Sequence, residues 1–330
     1  MNRRLALPLF LCIGCAGSRA QGPGSTSAET AAKTAAVPDA ARALPVVFRE
    51  NRIFLNAVTE QGQPVAFYVA SGGKTFLRAS AARHLQLPVA RRREGGTVFE
   101  AAVWPAFGLA LPPPAADGAT LPVLPDGQLP PFSGLERTDG ILGRSWFAAR
   151  VWTLDYPGKQ MLLWEGSPPP GDPTHTLPLR LPEGAAGAGG PRVTVLLAGE
   201  PAELALDTGV TVHLSRAAIA ALNDGRPLLR AASAVSRSTF ETWRNKHPAW
   251  RVIDEADVIV PGEDLIEVPE LTVAGQKVGP VWFVTRPDGA LGGSADDPLS
   301  GTLGGSALSA FRLTLDYVRR TAHFDRPQAP

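Results

Sequence analysis

The chain has 330 residues, and 44% of them are hydrophobic, which is enough to bury two cores of ordinary size. Its 32 basic and 31 acidic residues leave a net charge of +1, and no long run of either sign is available to follow a phosphate backbone. Composition therefore predicts two globular domains and excludes nucleic acid as a partner.

Residues 1–20 have the pattern of an export signal. Arg3 and Arg4 precede an apolar run at residues 5–13, which is too short to span a bilayer. We therefore predict that the protein is exported.

Cys15 is a candidate lipidation site. Gly14 followed by Cys15 resembles a bacterial lipobox, while Ser18 and Ala20 offer an ordinary signal-peptidase site instead. We predict lipidation, which would make the protein periplasmic or anchored through the lipid to the outer membrane of a bacterium. Residues 21–44 are rich in Ala, Gly, Ser, Thr and Pro, and we predict a flexible tether there.

The rest of the chain divides into two comparable parts. Residues 166–173 contain four prolines and two glycines. This composition predicts a linker at 166–175, between an N-terminal lobe at 45–165 and a C-terminal lobe at 176–327. Both lobes consist mainly of short apolar or alternating runs, which predict strands. The clearest predicted strands are residues 53–58, 65–69, 193–197 and 202–206. Two Ala-rich segments predict short helices at 79–85 and 216–222.

The two parts contain an internal repeat. Residues 64–77, P-V-A-F-Y-V-A-S-G-G-K-T-F-L, align with residues 201–214, P-A-E-L-A-L-D-T-G-V-T-V-H-L, at an offset of 137. A second matching segment closes each part, and both copies end in T-L-D-Y, at 153–156 and at 314–317. Such a repeat predicts two similar structural units, related here by approximate two-fold symmetry.

These motifs resemble the aspartic peptidases, especially the bacterial retropepsin-like and pepsin-like aspartyl proteases. The second lobe has L-A-L-D-T-G at 204–209 and T-L-G at 302–304, while the first has Y-V-A-S-G at 68–72 and I-L-G at 141–143. The resemblance covers residues 45–327. It implies an all-β, two-lobed acid-protease-like β-barrel fold with short helices, and neither a metal nor a cofactor.

The chemistry of that family requires two carboxylates, one from each lobe, which share a proton. By resemblance Asp207 supplies one of them, but the matching position in the first lobe is Ala70, which neither holds nor donates a proton. The first lobe is therefore degenerate. Asp207 also fits a simpler role, that of a loop aspartate accepting backbone hydrogen bonds. The matched residues of the two motifs are Asp207, Thr208 and Gly209, and Ala70, Ser71 and Gly72.

The second lobe contains an insertion. The spacing from motif to closing segment is 93 positions there and 69 in the first lobe, so 24 residues are extra, and we place them between residues 223 and 260. Ser238 and Glu241 form an S-x-x-E capping box, which predicts an inserted helix at 239–246. Three aromatic side chains on or beside it either line a ligand cleft or pack the insertion onto its lobe: Trp243, His247 and Trp250.

Three functions remain open. The missing carboxylate favours a pseudo-protease that binds a peptide or an envelope partner in the interlobe cleft without cutting it. An active aspartic endopeptidase would need Asp207 to find its partner across a homodimer. The first lobe already occupies that surface, so we expect a monomer. The third function is that of a structural envelope lipoprotein.

Overall fold

The computed structural model describes residues 40–94, 96–109, 111–115, 120–129, 133–168, 170–182, 190–292, 297 and 299–327. The predicted export signal, Cys15 and most of the predicted tether lie outside the described residues. At the end of that tether, Ala41–Ala43 form a strand that pairs with residues 162–164. The tether prediction is wrong for these three residues, because their backbone groups are part of a sheet.

The described residues form mainly strands. The first half contains β1 (Ala41–Ala43), β2 (Val46–Arg49), β3 (Arg52–Val58), β4 (Pro64–Val69), β5 (Phe76–Arg78), β6 (Val89–Glu94), β7 (Thr97–Val103), β8 (Thr120–Leu124), β9 (Gly140–Leu142), β10 (Val151–Asp155) and β11 (Gln160–Trp164). The second half begins with β12 (Thr176–Pro178), β13 (Arg192–Leu197), β14 (Glu200–Leu206), β15 (Thr211–His213), β16 (Leu229–Ala231), β17 (Ser233–Ser236) and β18 (Val252–Asp257). It ends with β19 (Glu263–Val268), β20 (Leu271–Val273), β21 (Gln276–Val278), β22 (Val281–Arg286), β23 (Gly301–Leu303), β24 (Arg312–Asp316) and β25 (Thr321–Asp325).

The helices are short. They are α1 (Ala79–His84), α2 (Arg144–Phe147), α3 (Arg216–Leu222), α4 (Arg237–Lys246) and α5 (Gly305–Leu308). None of these helices, taken from the described part of the chain, is long and apolar enough to cross a membrane.

Each lobe is built on its own large sheet. The first has eight strands in the order β2-β3-β4-β9-β5-β8-β7-β6, and the second has nine in the order β18-β19-β22-β17-β23-β14-β13-β20-β21. Strands from both halves share a six-stranded sheet, β1-β11-β10-β24-β25-β12, in which β10 and β24 are antiparallel neighbours. Alternating apolar residues of that pair, Trp152, Leu154, Leu313 and Leu315, are fully buried. The predicted two-lobed, all-β fold with short helices is confirmed.

The two lobes repeat one three-strand unit. In the first lobe β9 lies between β4, to which it is parallel, and β5, to which it is antiparallel, with Phe76 opposite Ile141. In the second lobe β23 lies in the same way between β14 and β17, with Ala234 opposite Thr302. Strands β4 and β14 lead directly into the two matched motifs.

Strand pairing shows that the extra residues of the second lobe lie earlier in the chain than predicted. The offset between equivalent residues is 137 at Ala70 and Asp207 but 158 at Phe76 and Ala234, so 21 extra residues lie between the D-T-G motif and β17. This segment, residues 210–232, contains β15, α3 and β16.

A helix is present where residues 239–246 predicted one, as α4, but it is not the inserted helix, which is α3. Helix α4 follows β17 as α1 follows β5, so α4 is the counterpart of α1. The predicted bounds of the insertion, 223–260, are wrong. Residues 216–222 resemble residues 79–85 in sequence, and this local similarity concealed that they occupy different places in the sheets.

The start of α4 also differs from the prediction. Ser236 is the N-cap, and its hydroxyl accepts the Thr239 N–H at 3.3 Å. Ser238 lies in the first turn, where its N–H and its hydroxyl both donate to Asp288. The predicted capping box at Ser238 and Glu241 is therefore wrong, because a carboxylate distant in sequence engages Ser238.

Replacing Ser236 by alanine tests this cap. Ser236→Ala leaves an N–H of the first turn without its partner, so we expect the free energy of unfolding to fall by about 1 kcal/mol, measured by urea denaturation. Thr242→Ala on the exposed face of the same helix is the control, with an expected change below about 0.5 kcal/mol. Equal losses in the two variants would contradict the assignment of Ser236.

Candidate functional site

The two matched motifs form loops that are hydrogen-bonded to each other across the lobe boundary. The Ser71 N–H donates to Thr208 Oγ1 at 3.1 Å, and the Thr208 N–H donates to Ser71 Oγ at 3.2 Å. Each hydroxyl then donates to the strand of the opposite lobe, Thr208 to the Val69 carbonyl at 2.8 Å and Ser71 to the Leu206 carbonyl at 3.0 Å. Both side chains are fully buried, so these four bonds satisfy polar groups that water does not reach.

The glycines of the motifs allow the loops to approach closely. A Cβ on Gly72 would lie 2.8 Å from Asp207 Cβ, and a Cβ on Gly209 would collide with Ala70 Cβ. Residue 70 therefore lies against Gly209 as residue 207 lies against Gly72. The structure brings Ala70 and Asp207 together as equivalent positions of two facing loops.

Asp207 receives the backbone donors of both loops. Its Oδ1 accepts the Gly209 N–H at 2.8 Å and the Gly72 N–H at 3.1 Å, one from each lobe. Burial raises the pKa of Asp207, and the two N–H donors oppose that rise. The described residues place no cation beside the carboxyl to lower its pKa. The two facing loops thus hold one carboxyl group, and its pKa is raised.

Tyr68 is a site residue that sequence reasoning missed. Its hydroxyl donates to the Gly209 carbonyl at 3.1 Å and lies 2.9 Å from Thr211 Oγ1. Burial raises the pKa of Tyr68 to about 12, so the phenol keeps its proton at neutral pH. The available signal was its place in the Y-V-A-S-G motif, two residues before Ala70.

A pocket of about 250 Å³ lies beside these loops, between the two lobes. Leu135 from the first lobe and Val210, Ile259 and Leu291 from the second give it an apolar lining. Arg286 is the charged residue of its lining. The guanidinium donates to the Thr211 carbonyl at 3.1 Å and pairs with the buried Asp257 at 2.8 Å.

A larger pocket, of about 590 Å³, lies elsewhere, on the six-stranded sheet beside Gly171 and Asp172. None of residues 70–72 and 207–209 lines it. The smaller pocket is the one that Gly209 of the D-T-G motif lines, so we take it as the candidate binding site.

The structure does not bring the three aromatic candidates to Asp207. Trp243 packs edge-on against Phe283, with ring centroids 5.3 Å apart, and His247 stacks on Trp250 at 4.1 Å. Trp243 and Trp250 belong to the packing of the second lobe's core, and none of the three lines the pocket beside the motif. The alternative reading, that they pack the segment onto its lobe, describes their observed contacts.

No protein-family model matches the sequence, and no curated protein sequence matches it either. Among solved structures, the chain is similar to the crystal structure of the aspartic proteinase from Irpex lacteus, at 12% identity and a TM-score of 0.48. The match covers 88% of this chain and 98% of that one.

Thr208→Val tests the crossed hydrogen bonds. Valine removes the hydroxyl, which leaves the Ser71 N–H without its acceptor and takes one donor from the Val69 carbonyl, so we expect a loss of about 1–3 kcal/mol in the free energy of unfolding. Thr194→Val, on the exposed face of β13, is the matched control and should change stability by less than about 0.5 kcal/mol. If both variants were equally stable, the crossed bonds would not hold the lobes together.

Asp207→Asn tests the raised pKa. The folded protein binds the Asp207 proton more tightly than the unfolded chain, so this group's contribution to stability falls as pH rises from the unfolded pKa, about 3.9, through the folded one. Asparagine keeps an acceptor for both amides but does not titrate. The stability of the variant relative to wild type should therefore increase across that window and then level off, as followed by denaturation midpoints. A difference that does not change with pH would contradict the raised pKa.

Proposed function

We propose that the protein is an exported pseudo-protease that binds a peptide between its lobes without hydrolysing it. Ala70 is the observation that carries the proposal, because its methyl group occupies the position equivalent to Asp207 on the facing loop. The residue pattern at 1–20 supports export, and the lipid anchor at Cys15 is part of the proposal.

Hydrolysis by this type of site needs two proton-transfer roles. One carboxylate removes a proton from the attacking water while the other protonates the carbonyl oxygen of the peptide, and the pair exchanges roles during turnover. Asp207 alone can fill one role at a time. Its Oδ1 already accepts two amide hydrogens, from Gly72 and Gly209, and Ala70 offers no proton. The geometry therefore supports binding better than cutting.

Two features favour peptide binding although position 70 carries no carboxylate. The crossed bonds between Ser71 and Thr208 hold both loops in place without help from residue 70. The neighbouring pocket is apolar and of a size that accepts a single aliphatic side chain.

The homodimer alternative has less support. The Gly72 N–H of the same chain already donates to Asp207, and Tyr68 of the same chain already bonds the Gly209 carbonyl. A second copy would have to displace the first lobe's loop before its own Asp207 reached this site. These contacts favour a monomer.

Ala70→Asp tests the proposal, because it restores D-S-G opposite D-T-G. We expect wild-type protein to show no pepstatin-sensitive cleavage of unfolded proteins at acid pH, and the variant to gain weak cleavage. The two carboxyl groups should titrate as a coupled pair in which one pKa is raised by its like-charged neighbour. The variant should therefore lose more stability than wild type as pH rises above about 4.

Ala70→Asn is the matched control, since it has nearly the same shape and no titrating group. Stability measured against pH should separate the Asp variant from the Asn variant. Identical pH profiles would mean that residue 70 does not face Asp207. Cleavage by the wild type that Asp207→Asn abolishes would overturn the pseudo-protease proposal in favour of an active enzyme.

A further inference from the structure

The insertion at residues 210–232 crosses from the second lobe to the first, and we call this segment the bridge. The Ala231 N–H donates to the Glu50 carbonyl at 3.0 Å, and the Arg226 guanidinium lies 3.7 Å from the Glu50 carboxylate. Glu50 lies in the tight turn between β2 and β3 of the first lobe, with a φ of 49°. The insertion is therefore tied to the first lobe by backbone and side chain at one point.

A second contact lies beside the candidate pocket. A Cβ on Gly134 would lie 2.5 Å from Leu229 Cδ2, so the Leu229 side chain packs directly on the first lobe's backbone. The adjacent residue Ser133 is held by Arg52, whose Nη1 donates to the Ser133 carbonyl at 3.3 Å. Ser133 and Leu135, on either side of Gly134, line the pocket.

The other wall of the pocket belongs to the same bridge. Thr211 lines the pocket and pairs with Ala231 in the antiparallel β15-β16 ladder, and its hydroxyl lies 2.9 Å from the Tyr68 hydroxyl. Residues that line the pocket therefore lie directly beside residues that connect the two lobes: Ser133 and Leu135 flank Gly134, and Thr211 pairs with Ala231. The bridge closes the space between the lobes immediately next to the pocket.

Among the described residues, the insertion has no counterpart in the first lobe. Between the first lobe's motif and β5 the chain has only residues 73–75, which leave no length for a matching bridge. An extended polypeptide needs about 4.8 Å of width beside each neighbouring strand. A hydrogen bond of 3.0 Å and direct side-chain packing across the boundary leave no such passage.

We propose that the insertion makes the interlobe cleft a groove closed at one end, so that it accepts the free end of a polypeptide and excludes internal segments. This inference rests on the proposed peptide-binding function and names its ligand class, a chain terminus in extended conformation.

The experiment compares two peptide pools of randomised sequence on the full-length protein. One pool is linear and about eight residues long, about 26 Å when extended, and the other has the same composition but is cyclised head to tail. Equilibrium dialysis with mass spectrometry measures the bound fraction. We expect the linear pool to bind at least about tenfold more tightly than the cyclic one, a difference of about 1.4 kcal/mol. Equal binding of the two pools would overturn the closed end while leaving peptide binding intact, and binding of neither pool would overturn both proposals.

A second arm opens the bridge. The variant Arg226→Ala with Leu229→Ala removes both side-chain contacts and leaves the bridge held by hydrogen bonds such as the Ala231–Glu50 backbone bond, so binding of the cyclic pool should rise towards that of the linear pool. Lys246→Ala is the control, because it breaks the exposed ion pair between Lys246 of α4 and Glu200 of β14, and neither residue lines the pocket. An opened variant that still rejects the cyclic pool would count against the bridge as the cause.

A third arm uses the wild-type protein alone, so it does not depend on how the variants fold. Streptavidin is attached through biotin to either the N-terminus or the C-terminus of the linear pool. Blocking of binding in one arm supports the closed end and identifies which terminus enters. If streptavidin blocked binding at neither terminus, the inference would be overturned, because the site would then accept a bulky group at either end of the peptide.

Discussion

The crossed hydrogen bonds between Ser71 and Thr208 are the constraint on which the site depends. They use backbone and hydroxyl groups only, and each buried donor finds an acceptor in the other lobe. Because an unpaired buried polar group costs about 1–3 kcal/mol, the four bonds make relative displacement of the two loops costly. None of them involves the side chain at position 70. These bonds therefore do not depend on a carboxylate at position 70, and an alanine there leaves the two loops in place.

With alanine at position 70, the two facing loops hold one carboxyl group, and this sets the electrostatics of the site. Two buried carboxyl groups this close would repel each other when both were ionised, which in such pairs raises one pKa strongly. With Ala70 the repulsion is absent, and both loop amides converge on Asp207. Hydrogen bonds to an ionised group contribute about 1.5–3 kcal/mol each, which offsets part of the cost of burying a charge. The pKa of Asp207 is nevertheless raised, so the cost of burying the charge outweighs what the two amides contribute.

Much of the fold could be predicted from the sequence because it is repeated. The matched segments around Ala70 and Asp207, and the second pair ending in T-L-D-Y, indicated two lobes and the facing motifs. The location of the insertion could not be predicted, because α3 resembles α1 in sequence. Strand pairing shows instead that α4 is the counterpart of α1, since β17 and β5, which precede these helices, have equivalent partners. The N-cap of α4 was misassigned for a similar reason. Asp288, which engages Ser238, is distant in sequence, and only the folded chain brings it near.

Charge contributes little to the contacts between the bridge and the first lobe. The pair of Arg226 and Glu50 is partly exposed and 3.7 Å apart, and such pairs contribute about 0–1 kcal/mol that salt screens further. The remaining contacts are the backbone bond from Ala231 and the packing of Leu229, and neither carries a net charge. Pairing of β15 with β16 holds both residues in register beside the pocket wall at Thr211. The contacts between the insertion and the first lobe therefore rest mainly on shape and hydrogen bonding, which salt screens little.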